Sequence, residues 1–225
     1  MPVTMGTLYL VRHGQASFGA ADYDQLSALG LHQSQRLGAW FRQRGTRFDA
    51  VLTGTLRRHA QTLAGIETGL QVQHQALALP GLNEYDSQAV VQAIHPGPIA
   101  RAETPEQVRQ HFRLLRQGLL QWMAGTTQPP GMPSHAEFVA AVVHALDHVR
   151  SEHADGTVLI VSSGGPIATA IGHIRGLQAQ ATVDLNLHIR NSAVSELKVG
   201  PKRHTLISFN TLPHLDADPG SVTYA

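Results

Sequence analysis

The sequence predicts an α/β fold, a three-layer α/β/α sandwich around a mainly parallel sheet, with a helical insertion over one edge of that sheet. Three observations carry this expectation. Short apolar runs such as Leu8-Tyr9-Leu10-Val11 and Val158-Leu159-Ile160-Val161 have the length of buried strands. Longer segments between them repeat apolar residues at helical spacing. The two kinds alternate along most of the chain, as successive βα units do. The 225 residues, 42% of them hydrophobic, suffice for one domain over 1–225 that includes an insertion at about 83–133.

Each element has a local reason. Residues 7–11 are expected as the first strand. A helix follows over 27–45, with Ser27 as N-cap, apolar Leu31, Leu37, Trp40 and Phe41, and Gly45 as its stop. Asp49-Ala50-Val51-Leu52 is a second short strand. The next helix covers 53–69, with Leu56, Ala60, Leu63 and Ile66 at helical spacing. Residues 72–77 are expected as a third strand. Between Asn83 and Pro133 the pattern loosens at Pro96, Pro98, Pro105, Pro129 and Pro130, and only 104–122 is expected to be helical. A helix over 134–152 carries Phe138, Val142, Ala145 and Val149 on one face. Residues 158–161 form the next strand, and Pro166 starts the helix after it, where its missing N–H is tolerated. Residues 185–189, 193–199 and 205–209 are expected as closing strands.

Composition narrows the function classes. Lys and Arg number 17 against 16 Asp and Glu, with no long run of one sign, so no nucleic-acid partner is expected. The absence of cysteine excludes disulfides, thiolate catalysis and Cys-ligated zinc. The 14 histidines make the chain strongly cationic below about pH 6. The first residues hold no basic stretch before their short apolar run, so no signal peptide is expected. Residues 157–174 lack Asp, Glu, Lys and Arg, but Ser162-Ser163-Gly164-Gly165-Pro166 interrupts them. A strand, a turn and a helix explain the stretch better than a membrane span. No membrane partner is expected, and the location expected is cytoplasmic.

Four groups of residues could meet at the C-terminal ends of the strands, where open α/β sheets bind ligands. His13 follows the first strand between Arg12, which suits an anion, and Gly14, which would let a ligand approach the backbone. The same tripeptide also suits a strand-end histidine capped by its neighbours. Arg57 and Arg58 fall near the start of a helix, where cations are disfavoured unless an anion sits there. Glu84 follows the third strand, where it is either a surface acid or part of the same edge. Val161-Ser162-Ser163-Gly164-Gly165-Pro166 is a strand–turn–helix unit whose N–H groups could cradle an anion. Together these place an imidazole, guanidinium groups, a carboxyl and a helix N-terminus around one point. His144 and His148 stand one helical turn apart, but no third metal ligand is apparent, and a solvated face explains them.

The chain resembles the histidine phosphatase superfamily, the phosphoglycerate-mutase-like proteins. The matching pieces are Leu10-Val11-Arg12-His13-Gly14, Leu56-Arg57-Arg58-His59-Ala60-Gln61-Thr62, Leu82-Asn83-Glu84 and Val161-Ser162-Ser163-Gly164-Gly165. The resemblance implies that His13 takes the phosphoryl group, that Arg12 and Arg58 hold its oxygens, and that Glu84 protonates the leaving group. Arg58 fits the pattern better than Arg57 because of its spacing to Gln61-Thr62. Gly14, Gln15, Ser163 and Gly164 are the substrate contacts expected.

Three departures qualify the resemblance. The family usually has a second histidine where this chain has Ser163. A serine-proline pair expected before Leu56 is Gly54-Thr55. The mutases carry an arginine-, tyrosine- and glycine-containing motif after their glutamate, and this chain reads Glu84-Tyr85-Asp86-Ser87. The function expected is therefore a metal-independent phosphomonoesterase acting through a phosphohistidine on a small phosphorylated metabolite. It is expected to be slow because Ser163 replaces the second histidine, unless a histidine such as His173 or His214 reaches in, and Ser163→His is expected to raise turnover if the backbone is otherwise like the family's. The alternatives are a phosphoglycerate-mutase-type isomerase and a catalytically impaired phosphoryl-ligand binding protein. No cofactor and no metal are expected, and the partner expected is the small phosphorylated substrate. Arg101, Arg109, Arg113 and Arg116 could meet further negative charge on it or face water. Oligomeric state is left open.

Overall fold

A computed structural model describes residues 5–17, 24–95, 97 and 104–224. Six strands form one sheet: β1 (Gly6–Arg12), β2 (Ala50–Thr53), β3 (Leu77–Ala78), β4 (Thr157–Ser162), β5 (Val194–Val199) and β6 (His204–Thr211). Their order is β3-β2-β4-β1-β5-β6. β3, β2, β4 and β1 are parallel, while β5 and β6 add an antiparallel margin. The described helices are α1 (Ala28–Gln43), α2 (Arg57–Leu70), α3 (Ser87–Gln92), α4 (Pro105–Met123), α5 (His135–Glu152), α6 (Gly164–Arg175) and α7 (Ala179–His188).

Strand alternation builds the layers. Val11, Val51, Leu159 and Val161 pack with Leu37 and Phe41 of α1 and with Leu63, Ile66 and Leu70 of α2. Leu8, Leu10, Leu52, Val158 and Ile160 face the other way, onto Val142, Leu146 and Val149 of α5 and Ile167 and Ile171 of α6. Val90, Val91, Leu115, Leu119 and Trp122 of α3 and α4 join this second cluster. The segment after Asn83 thus shares the core on the α5–α6 side.

Ser27 caps α1 as expected, and Thr104 and Ser134 cap α4 and α5 with full capping boxes. Three expectations fail. Residues 72–76 form no strand, and only Leu77 and Ala78 pair with β2 at the sheet margin, both exposed. Residues 185–188 belong to α7 and not to a strand. The apolar alternation of Val183, Leu185, Leu187 and Ile189 imitates a strand, but Thr182 and Val183 are the residues the helix buries. The stripes on α1 and α2 also differ, since Leu31 and Ala60 are exposed. The two helices approach so closely that a Cβ on Gly38 would lie 2.0 Å from the Ile66 carbonyl oxygen. Small residues, not large apolar ones, make that contact.

Arg109 and Arg113 pair with Glu106 on exposed α4, and Arg116 pairs with Asp184. Arg101, Pro96 and Pro98 lie outside the described residues, as do Met1 to Thr4. Among the described residues no helix is long and apolar enough to cross a membrane.

Candidate active site

The sheet register brings the site together. Arg12 pairs with Ser162, so His13 and Ser163 leave the sheet side by side. The His13 N–H donates to the Ser162 carbonyl at 2.9 Å, and the His13 carbonyl accepts from the Ser192 N–H at 3.0 Å. The His13 ring is buried, with Nδ1 2.7 Å from the Gly14 carbonyl oxygen. A carbonyl only accepts, so Nδ1 carries the proton and Nε2 keeps its lone pair. Burial holds the His13 pKa well below the usual histidine range, and Arg12, Arg58 and His59 push the same way against the Gly14 bond. The imidazole is neutral at pH 7.

The two arginines are buried, and Arg57 is exposed. The Arg12 guanidinium donates to the Ile189 carbonyl. Arg58 Nη1 donates to Asp24 at 2.9 Å, and the same carboxylate accepts from the backbone N–H groups of Arg57 at 2.9 Å and Arg58 at 3.4 Å. The anion at the start of α2 is thus Asp24, supplied by the chain itself. Sequence reading missed it because the partners are more than 30 residues apart.

Gln61 and Thr62 hold the loops around His13. Gln61 Oε1 accepts from the Leu26 N–H at 2.7 Å. Thr62 Oγ1 accepts from the Gly14 N–H at 3.1 Å and donates to the Arg58 carbonyl at 2.8 Å. At Gly14 the side that a Cβ would take faces α1. A Cβ there would lie 2.3 Å from the Gly30 carbonyl oxygen. The Gln15 side chain accepts from the Ser27 hydroxyl at 2.8 Å, so it is engaged at the α1 cap.

Glu84 reaches the same edge. Its carboxyl accepts from the Gly165 N–H at 3.0 and 3.2 Å and from the Tyr85 N–H at 3.3 Å. The segment before it is pinned from two sides. Ser162 Oγ donates to the Leu82 carbonyl at 2.7 Å, and Asn83 bonds both the N–H and the hydroxyl of Thr55, each at 2.7 Å. Burial raises the Glu84 pKa, opposed by the Gly165 N–H and the charges of Arg12 and Arg58. Gly164 is the first residue of α6, and Ser163 stands at its N-cap position.

Ser163 has a neighbour that sequence reasoning did not place. His59 Nε2 lies 2.7 Å from Ser163 Oγ, and the His59 and His13 ring centroids are 5.8 Å apart. The histidines considered as substitutes do not arrive: His173 is exposed at the far end of α6, and His214 bonds Ser192 Oγ at 2.9 Å. Among the described residues no three His, Asp or Glu side chains form a metal-holding group.

The buried imidazoles have a cost in acid. Burial holds His59 and His214 down to about 3. Unfolded, each would take a proton below about pH 6.5. Stability is therefore expected to be retained above pH 6.5 and lost as pH falls toward 3, at up to about 1.4 kcal/mol per pH unit for each group. Urea unfolding at pH 7, 6 and 5 checks this, and a midpoint that does not move between 6 and 5 contradicts it.

The sequence pattern of the histidine phosphatase superfamily (branch 1) matches residues 8–212. A 2,3-bisphosphoglycerate-dependent phosphoglycerate mutase of Methylorubrum populi is 33% identical over 98 residues, covering 36% of this chain and 46% of that one. The chain thus spans about half the length of the curated relatives it matches. The structure superposes on phosphoserine phosphatase from Entamoeba histolytica with a TM-score of 0.65 at 18% identity, covering 94% of this chain and 100% of that one. Phosphoglycerate mutase from Bacillus anthracis gives a TM-score of 0.65 at 17% identity, covering 94% and 96%. At these identities the two structures share the fold.

Proposed function

Because the chain belongs to the histidine phosphatase superfamily, we propose that it hydrolyses small phosphate monoesters through a phosphohistidine at His13, without a metal ion. The observation that carries this reading is the state of His13, a neutral buried imidazole whose Nδ1–H is held by the Gly14 carbonyl. Its Nε2 lone pair attacks phosphorus as the ester P–O bond breaks, and Glu84 gives its proton to the leaving oxygen. Water then attacks the phosphohistidine, the N–P bond breaks, and the Glu84 carboxylate takes the proton from that water. Phosphoryl transfer asks mainly for positioning and for charge on the equatorial oxygens, which Arg12 and Arg58 supply. Gly164 and Ser163 complete the proposed contacts at the start of α6.

Hydrolysis is favoured over isomerisation by the residues after Glu84. Asp86 caps α3, accepting from the N–H groups of Gln88 and Ala89, and the Tyr85 hydroxyl accepts from Asn186 at 2.7 Å. Neither offers a cation to the carboxylate of a three-carbon acid. A phosphate-binding protein without turnover would need neither a neutral imidazole nucleophile nor a raised carboxyl.

Purified protein is expected to hydrolyse p-nitrophenyl phosphate, to be inhibited by orthovanadate, and to keep its rate after dialysis against a chelator. Interconversion of 2- and 3-phosphoglycerate is expected to be undetectable beside it. A rate lost on dialysis and restored by Mg²⁺ or Zn²⁺ would replace this mechanism with metal-assisted hydrolysis. Interconversion as fast as hydrolysis would make the chain a mutase.

A further inference from the structure

His59 is fully buried on α2, next to Arg58, and the mechanism above gives it no task. Its Nε2 meets Ser163 Oγ, while its Nδ1 is buried with no hydrogen-bond partner. An apolar side chain would fill this space without leaving a ring nitrogen unsatisfied, so an imidazole here calls for a reason. Gly54 makes the room for it, since a Cβ there would fall 2.2 Å from His59 Nδ1. Ser163 is equally unusual. It stands at the N-cap of α6, yet its side chain makes no capping bond, and the Gly165 N–H goes to Glu84.

The tautomer follows from these contacts. A buried N–H without an acceptor is rarer than an acceptor without a donor. Nδ1, which has no partner, therefore holds the lone pair, and Nε2 carries the hydrogen. His59 Nε2–H donates to Ser163 Oγ, and the Ser163 hydroxyl hydrogen is left to point elsewhere. Ser163 leaves β4 beside His13. We propose that His59 is a positioning residue that holds Ser163 Oγ from behind, so that the Ser163 hydroxyl donates to the phosphoryl group during its transfer to and from His13. This rests on the phosphatase reading above. It gives the residue pair His59–Ser163 the place that a single larger donor after β4 would otherwise occupy.

A double-mutant cycle tests the pair. Loss of one preorganised donor lowers kcat by roughly a hundred- to a thousandfold. Ser163→Ala is expected to show that loss with KM little changed. His59→Ala is expected to show a similar loss, and the double variant is expected to be no slower than the slower single one. His59→Gln, whose amide can donate to the same oxygen, is expected to recover most of the rate. Losses that multiply in the double variant, or a Gln variant no faster than Ala, would overturn the proposal. If His59→Ala fails to fold, His59→Leu, which fills the space without a donor, takes its place in the cycle and in the comparison with His59→Gln.

The geometry also reverses the expectation for Ser163→His. Ser163 is fully buried against His59, so a second imidazole there collides with the first. Turnover is expected to fall, and a gain with His59 in place would overturn the proposal. If the wild-type protein hydrolyses nothing, the phosphatase reading fails by itself. The pair is then judged by calorimetric orthovanadate binding across the same variants, where additive losses of affinity would overturn it and non-additive losses would support it.

Discussion

His13→Ala is expected to abolish hydrolysis, with a loss on the order of 10⁴-fold or more, and to leave no phosphate on the protein. Wild-type protein quenched during turnover should carry phosphate that is labile in acid and stable in alkali, as an N–P bond is. Among the described residues, the buried imidazoles of His59 and His214 are tied elsewhere. His59 Nε2 is bonded to Ser163 and its Nδ1 lies against Gly54, while His214 Nε2 is bonded to Ser192. The variant should still fold, because the backbone bonds that hold position 13 run to Ser162 and Ser192 and do not involve the ring. It should also still bind orthovanadate, since Arg12 and Arg58 remain. That combination, binding without turnover, separates loss of the nucleophile from loss of the pocket. Label that survives in the Ala variant, or label labile in alkali and stable in acid, would exclude a phosphohistidine at this position.

What could be read in the sequence was local in origin. Leu8 and Leu10 alternate with Tyr9 and Val11, and this pattern alone predicts a strand covered on both faces. Ser27, Thr104 and Ser134 announce helix starts because a cap oxygen acts within three residues. The parts of the site that were not legible depend on long-range contacts. Asp24 caps α2 across 33 residues of sequence, and Thr62 reaches Gly14 across 48. Gly14 reads as room for a ligand, and only the structure shows that Gly30 packs against the same residue.

The tie between His59 and Ser163 was half legible. His59, Leu63, Ile66 and Leu70 recur at helical spacing, and the structure buries all four. Choosing Leu56 and Ala60 for that face hid the histidine. The true phase turns His59 inward, and only the β2-β4-β1 order then shows that inward means toward Ser163. The misread 185–189 segment has the opposite cause. Its alternation is real, but α7 packs against α6 and α4, and that packing outweighs a five-residue preference.

Glu84→Gln is expected to separate substrates by their leaving groups. General acid catalysis contributes roughly 10²–10⁴-fold where the departing oxygen needs a proton. An alkyl phosphate should therefore phosphorylate His13 slower by that factor in the variant. An aryl phosphate such as p-nitrophenyl phosphate leaves as a stable anion, and its phosphorylation step should be nearly unchanged. Because the same side chain takes the proton from water in the second step, the variant should accumulate phosphohistidine and release a burst of nitrophenol close to one per site. The Gln amide oxygen can still accept from the Gly165 N–H, so the start of α6 keeps its partner. The pH profile carries the sign of the shift. Burial raises the Glu84 pKa, so the acid is present below that value and is lost as pH rises through it. The His13 pKa is lowered, so its neutral form persists well below pH 6.5 and sets no limb near neutrality. With an alkyl phosphate, wild-type phosphorylation should then fall on the alkaline side alone, and that limb should vanish in Glu84→Gln. Ionisation of the substrate is common to both proteins and drops out of the comparison. Equal losses for alkyl and aryl esters, or an alkaline limb that persists in the variant, would assign the proton to another group.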